Sequence, residues 1–405
     1  MATHFFSFKF NKLNKSKAAL FFTGILFLCL QTVRAEYYSF KELNFTMDIP
    51  EGFELKETGR NYDSFFFETK LMPVKFALKL YPAEQYADAK AVIDDTLVQL
   101  NAKGSVEEFD WYGRDCFLSA FSFVMPDQKL YSGWALSIQV PLKENQAEKV
   151  NMLFLTYADS QISRDCDQYM LSIIDGVFFC QEDFRRPGPV TTFAFPKTKD
   201  IQVNLDIAGT SINSAIESEA VERSNFVIER EYAVLRIYAN QQNWKEAWQR
   251  YYRLIFRESY SALDEIADDI YKKLLPKAQK ISFEDSTYEI AKMLLDWVQD
   301  FNYVRDTKNA DFTAVTASIQ GYGSDCDSRS MLMCILMEHF GIQTKLFISR
   351  EYSHAIFGLN LKKNGAKITC DGTDFLLGET TAKVDLGLIA KEQSVTEKWI
   401  PVDLP

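Results

Sequence analysis

The stretch that most limits what this chain can fold into begins at Cys326. Residues 331–337 read Met-Leu-Met-Cys-Ile-Leu-Met, apolar at every position. A helix there has no face to give to water, so it belongs in the centre of its domain. Gly341 supplies the stop. A Gly-rich turn, Gly321-Tyr322-Gly323-Ser324-Asp325, leads in and leaves the Cys326 thiol at the helix start. Beyond the helix the pattern predicts strands over 344–349, 353–361 and 366–370. Asn364-Gly365 is read as a hairpin turn. His354 and Asp371 therefore fall on successive strands, after a thiol at a helix start.

The segment before this run is also patterned. Ser286-Thr287-Tyr288-Glu289 has the form of a capping box, and Ile290, Leu294, Trp297, Val298 and Phe301 repeat at helical spacing. Residues 214–275 read mainly as helix, ended by Pro276, and 201–207 as a strand. Trp244, Trp248, Tyr252 and Leu254 form an aromatic stripe read as packing surface. Arg185-Arg186-Pro187-Gly188-Pro189 signals a linker. Before it, residues 36–182 predict a separate domain, with strands near 44–49, 74–80, 117–123, 134–140 and 150–157 and helices over 83–100 and 162–174. Strands, helix, strands, helix suggests an antiparallel sheet covered by helices. The expected organisation is α+β: signal segment 1–35, α/β sandwich 36–182 for recognition or docking, linker 183–200, helical connection 201–284, and catalytic domain 285–405.

Residues 1–35 read as a secretory signal peptide. Lys9, Lys12, Lys15 and Lys17 precede the apolar stretch 18–33, and Val33-Arg34-Ala35 has small residues at both cleavage positions. The expected location is secreted or periplasmic. The apolar stretch is short for a bilayer span, so an uncleaved anchor, the one membrane link the sequence suggests, ranks second. Leu28 before Cys29 is too bulky for a lipidation signal. Removing five basic side chains from the 45 leaves 40 against 56 acidic ones, a net charge of −16. That balance argues against a nucleic-acid partner. An exported chain permits disulfides, and Cys166–Cys180 is a candidate bridge, while Cys334 and Cys370 read as buried thiols. Beyond His4, the histidines are His339 and His354. No Cys/His spacing suits zinc, and no Gly-rich phosphate loop follows a strand. No metal and no cofactor is expected. His339, at a helix end, is read as structural.

Two resemblances follow from these residues. Asn44-Phe45-Thr46-Met47-Asp48-Ile49-Pro50-Glu51-Gly52-Phe53, with the late helix, faintly resembles PsbP-type α/β/α sandwiches, which implies no chemistry. The region 285–390 resembles the transglutaminase-like superfamily, of papain-like fold. The matching residues are Leu295-Asp296-Trp297-Val298-Gln299-Asp300-Phe301-Asn302-Tyr303, Gly323-Ser324-Asp325-Cys326-Asp327-Ser328-Arg329-Ser330, Phe340-Gly341-Ile342-Gln343-Thr344, Tyr352-Ser353-His354-Ala355 and Asp371-Gly372-Thr373. The resemblance implies Cys326 as nucleophile, His354 as base and Asp371 as the carboxylate orienting it. Gln320 is a candidate oxyanion donor beside the Cys326 backbone N–H, weighed against an ordinary loop residue. Many members carry Gly or Val before the Cys and Trp after the His; here stand Asp325 and, beyond Ala355, Ile356-Phe357. An acid beside the thiol should raise its pKa unless the carboxylate points away. Glu379-Thr380-Thr381 resembles the end of the motif in some microbial relatives, with no role assigned.

The expected function is cysteine-dependent hydrolysis of amide or peptide bonds in a protein or cell-wall peptide, through a thioester. The alternatives are transglutaminase-type acyl transfer and a binding scaffold with a vestigial triad.

Overall fold

The computed structural model describes residues 37–40, 45–141, 148–305 and 309–405, so the signal-peptide reading lies outside the described residues. The chain divides into two compact units, one ending at Gln181 and one running from Glu182 to Pro405.

The first unit holds β1 (Tyr37–Phe40), β2 (Phe45–Asp48), β3 (Phe53–Thr58), β4 (Ser64–Thr69), β5 (Lys75–Pro82), α1 (Ala89–Gln99), β6 (Lys103–Asp110), β7 (Asp115–Val124), β8 (Leu130–Pro141), β9 (Lys149–Asp159), α2 (Ser163–Asp175) and β10 (Val177–Phe178). Seven strands form one sheet in the order β3-β4-β5-β9-β8-β7-β6, and β1-β2-β10 make a small one. All these pairings are antiparallel. Side chains alternate across a strand, and the helices exploit both faces. Ala89 and Ile93 of α1 pack with Ala77, Phe117, Phe121 and Ala135. On the other face Tyr169 of α2 meets Phe53, and Asp167 accepts from Trp134 Nε1 at 3.2 Å.

Several local expectations need correction here. Helix α1 starts later than residue 83, because Asp88 caps it by accepting from Ala91 N–H at 2.8 Å. Strands β3, β4 and β6 were not anticipated; β6 is mostly exposed and lacks the alternation that marks a half-buried strand. Cys166 and Cys180 are not joined by a disulfide. Cys166 is buried in α2, while Cys180 receives a contact from Arg114 Nη2 at 3.3 Å.

The second unit holds α3 (Pro189–Ala194), β11 (Asp200–Ile207), β12 (Thr210–Glu217), α4 (Ala220–Ile237), α5 (Trp244–Tyr260), α6 (Asp264–Ile281), α7 (Ser286–Gln299), α8 (Val315–Ile319), α9 (Cys326–His339), β13 (Thr344–Ser349), β14 (His354–Leu359), β15 (Lys367–Cys370), β16 (Thr373–Gly378) and β17 (Ile400–Val402). Residues 326 and 328–337 of α9 are buried, as a helix apolar all round requires. It lies against β13 and β14, with α5, α6, α7 and α8 packed around it. Leu332, Leu336, Leu346, Phe357 and Leu376 share its core. Gly341 ends it with φ +78°, a conformation glycine adopts without Cβ strain.

Residues 214–217 belong to β12, not to a helix. Pro276 sits inside α6 rather than ending it; only one backbone donor is lost, and Ala278, Leu274 and Ile270 bury the same side of the helix. At α7 the cap is Asp285, one residue before the anticipated Ser286, and it makes no side-chain cap bond.

The five-stranded sheet has the order β15-β16-β14-β13-β17, antiparallel throughout. β16 thus lies between β14 and β15. Asn364-Gly365 is therefore part of a connection between non-neighbouring strands, not a hairpin turn. The hairpin turn is Asp371-Gly372, joining β15 to β16 with φ +49° and +79°. Positive φ at both central residues is what a type I′ turn requires, and Asp-Gly supplies it.

Candidate active site

The site is built around the first turn of α9. Asp325 is the N-cap: its Oδ1 accepts from Ser328 N–H at 2.7 Å, and Ser328 Oγ accepts from Asp325 N–H at 2.9 Å. This reciprocal pair satisfies two amides that a helix start would leave open. Asp325 Oδ2 also accepts from Thr313 N–H at 2.6 Å, fixing the preceding loop. Ser324 Oγ donates to Asn302 O at 3.1 Å and accepts from Arg329 Nε at 2.7 Å. Arg329 continues to Thr380 O at 2.9 Å and to Phe301 O, so one buried guanidinium ties three segments together.

Cys326 is 5 % exposed. The Ala355 backbone N–H and the Tyr303 hydroxyl are among the groups near enough to couple electrostatically to its sulfur. That places the thiol beside the start of β14, one residue from His354. Burial pushes the thiol pKa well up, and Asp327 and Asp325 push it further; Ala355 N–H and Arg305 act the other way and lose. Asp327 is half-buried against Tyr252, whose hydroxyl donates to its Oδ1 at 3.0 Å. Burial first, then the neighbouring Asp325 carboxylate, raise the Asp327 pKa to about 8. The helix N-terminus favours a thiolate, but these opposing effects outweigh it, and the resting Cys326 is a neutral thiol.

His354 Nε2 lies 2.7 Å from Glu379 Oε2, with side-chain exposures of 10 % and 5 %. Glu379 Oε1 accepts from Thr381 N–H at 2.7 Å and from Thr381 Oγ1 at 2.6 Å. Gln299 Nε2 donates to Glu379 O at 2.8 Å and holds the backbone. Burial works to raise the Glu379 pKa, but the His354 and Thr381 hydrogen bonds outweigh it and leave it below the ordinary carboxylate value. Trp399 stands beside His354, ring centroids 6.3 Å apart.

The carboxylate expected on His354 was Asp371, and the structure corrects this. Gly378 at the end of β16 opposes Phe357 of β14, so the chain leaving β16 runs alongside the start of β14 and delivers Glu379 to His354. Asp371 lies at the opposite end of β16, eight residues from Glu379 by number. At ~3.3 Å per strand residue that is more than roughly 20 Å away. Gln320, the candidate oxyanion donor, has its Nε2 directed to Thr316 O at 3.2 Å, within its own short helix. The backbone N–H of Cys326 belongs to the first turn of α9, where helix amides lack intrahelical partners.

The residues that sequence reasoning missed are Glu379, Tyr303 and Asp327. The Glu379-Thr380-Thr381 motif was visible but unassigned. Asp371-Gly372 carried a hairpin signal that should have marked it as a turn. Tyr303 and Asp327 lay within matched motifs, with no signal that they act electrostatically on the thiol. His339, read as structural, stacks on Tyr260 at 4.0 Å. Burial lowers its pKa to about 4, so it is neutral at physiological pH. Among the described residues no group of three or more His, Cys, Asp or Glu is placed to hold a metal ion. No helix of the described residues is long and apolar enough to cross a membrane.

The fold is mixed α+β with antiparallel sheets. No family model matches the chain, and no curated protein matches it. Among solved structures it is similar to the cyanobacterial PsbP protein CyanoP from Synechocystis sp. PCC 6803, at 12 % identity and TM-score 0.29, over 38 % of this chain and 99 % of that one. It is also similar to LpqN of Mycobacterium tuberculosis, a protein involved in cell envelope biogenesis, at 12 % identity and TM-score 0.25, over 33 % and 81 %. Likeness at that level carries no functional argument.

Proposed function

We propose that the second unit is a transglutaminase-like acyl-transfer site acting as a thiol hydrolase on amide or peptide bonds, with Cys326 as nucleophile, His354 as base and Glu379 as orienting carboxylate. The observation that carries this reading is the 2.7 Å His354–Glu379 pair at the start of β14, the strand that packs against the buried helix opened by the Cys326 thiol. Glu379 on Nε2 leaves Nδ1 as the nitrogen that takes the thiol proton. Because the resting thiol is neutral, His354 acts as a general base during attack, not as half of a standing ion pair. The sulfur bonds to the carbonyl carbon, and the proton passes through His354 to the departing amine as the C–N bond breaks. Water then attacks the thioester, giving its proton to His354, and the carboxylate and thiol are released. Water as acceptor makes this hydrolysis; an amine acceptor would make it transamidation. A signal peptide would put the site outside the cytoplasm, where proteins or cell-wall peptides are the available substrates.

A second reading has its own observation. Two acids flank the thiol, and both raise its pKa; a scaffold whose thiol is dormant would tolerate that arrangement. Exposure to p-nitrophenyl acetate, followed by peptide-resolved mass spectrometry, separates the two. The hydrolase reading expects acetyl on Cys326, lost in His354→Ala. Absence of acetyl on Cys326, or acetylation indifferent to His354→Ala, establishes the dormant scaffold.

A further inference from the structure

The sheet face opposite α9 is roofed by the segment between β16 and β17. A cavity of about 390 Å³ lies beneath that roof, lined by Ile368, Leu377, Leu388, Ile389, Gln393 and Trp399 among others. Its volume is in the range of small-molecule pockets, and an enclosed space of ~150 Å³ already admits benzene. Four of those lining side chains are aliphatic and one is an indole. Polar groups come from Lys367, Gln393, Ser394 and Thr396, and Gln393 differs from the other three in one respect. Its Oε1 is buried and has no hydrogen-bond partner among the described residues, although its backbone carbonyl accepts from Trp399 Nε1 at 2.9 Å. A buried acceptor left empty costs stability, which an incoming donor would recover.

Trp399 links this cavity to the candidate active site. Its ring contributes to the cavity wall and stands 6.3 Å, centroid to centroid, from His354. It is also 5.3 Å from the ring of Tyr352, just before His354 in sequence.

We propose that this cavity is a specificity subsite that takes an aromatic side chain bearing a hydrogen-bond donor, tyrosine-like in chemistry, from the peptide substrate of the site proposed above. The aromatic ring fills the apolar volume against Trp399, and the phenol donates to Gln393 Oε1. The pocket's place beside Trp399 sets that side chain next to the base. This deepens the thiol-hydrolase reading and rests on it for the word substrate, though the pocket's ligand preference can be measured independently.

The probes are p-cresol and toluene, which differ by the hydroxyl, titrated against the whole protein by ligand-observed NMR. Wild type is expected to bind both, p-cresol more tightly. Gln393→Leu should weaken p-cresol about fivefold, the effect of one hydrogen bond, and leave toluene within about twofold. Gln393→Glu, which keeps an acceptor, should retain p-cresol. Absence of saturable binding in wild type, or equal loss of both probes in folded Gln393→Leu, overturns the subsite. Acyl transfer from N-acetyl-tyrosine and N-acetyl-alanine p-nitrophenyl esters then tests the coupling. The expected tyrosine preference is at least about tenfold, lost in Gln393→Leu. Transfer without that preference refutes the subsite and leaves the thiol chemistry standing. Probe binding with no acyl-Cys326 from either ester refutes the thiol chemistry and leaves an aromatic-binding pocket.

Discussion

Glu379→Gln is the most direct perturbation of the site. The amide has the carboxylate's shape and can still accept from His354, so the substitution removes charge and little else. A buried hydrogen bond to a charged partner contributes about 1.5–3 kcal/mol, against about 0.5–1.5 for a neutral one. The difference, about 1–1.5 kcal/mol, is the support withdrawn from the imidazolium that forms as the thiol attacks. One factor of ten in rate corresponds to about 1.36 kcal/mol. Acylation of Cys326 by p-nitrophenyl acetate should therefore slow roughly tenfold in Glu379→Gln, read as the rate of p-nitrophenolate release with the acyl site confirmed by mass. Asp371→Asn, more than roughly 20 Å along the sheet, should change it by less than about twofold. An equal or larger loss in Asp371→Asn, or none in Glu379→Gln, would refute the assignment.

Asp327→Asn removes an acid that is held neutral by burial. Its folded pKa of about 8 lies above the unfolded value, ~3.9, so the stability it permits is full below pH ~3.9 and is lost as pH rises through about 8. The variant should match wild type in thermal unfolding near pH 4 and exceed it increasingly towards pH 9. It should also move the pH–rate curve for Cys326 acylation to lower pH. For Glu379 the sign is opposite: its pKa is depressed, so its contribution is present above the ordinary carboxylate pKa and lost as pH falls below it, and Glu379→Gln should flatten the acid limb of the stability profile. Leu332→Ala opens a cavity at a fully buried position of α9 and should cost about 2–5 kcal/mol by urea unfolding. Asp325→Ala removes the helix cap and the Thr313 link together and should cost about 2 kcal/mol, at the upper end for caps.

The central helix of the second unit was legible because its composition allows one environment. Seven successive apolar residues cannot be solvated on any face, and a glycine with positive φ ends the run. The strands β13 and β14 followed from the same logic, as did β5, β7, β8 and β9 in the first unit. What escaped were elements whose stability comes from partners rather than from their own pattern. β6 is mostly exposed and is held by its ladder to β7. α6 carries Pro276 because packing outweighs one lost donor. Cys166 and Cys180 looked like a pair by spacing, but their environments are a helix core and an arginine.

The misplacement of the carboxylate expected on His354 has the same origin. Sequence order suggests that consecutive strands are neighbours, which would set the residue after β15 next to the histidine. The sheet instead inserts β16 between β14 and β15, a choice made by long-range pairing and not by any local signal. Once that order is known, the assignment becomes a matter of register: the end of β16 meets the start of β14, and the acid there is Glu379. The inserted strand also explains Gly378, where an added Cβ would run into the ring of Phe357. A bulkier residue at that position would push β16 off β14 and carry Glu379 away from His354. The glycine that looks like an ordinary strand weakness is therefore a condition for assembling the site.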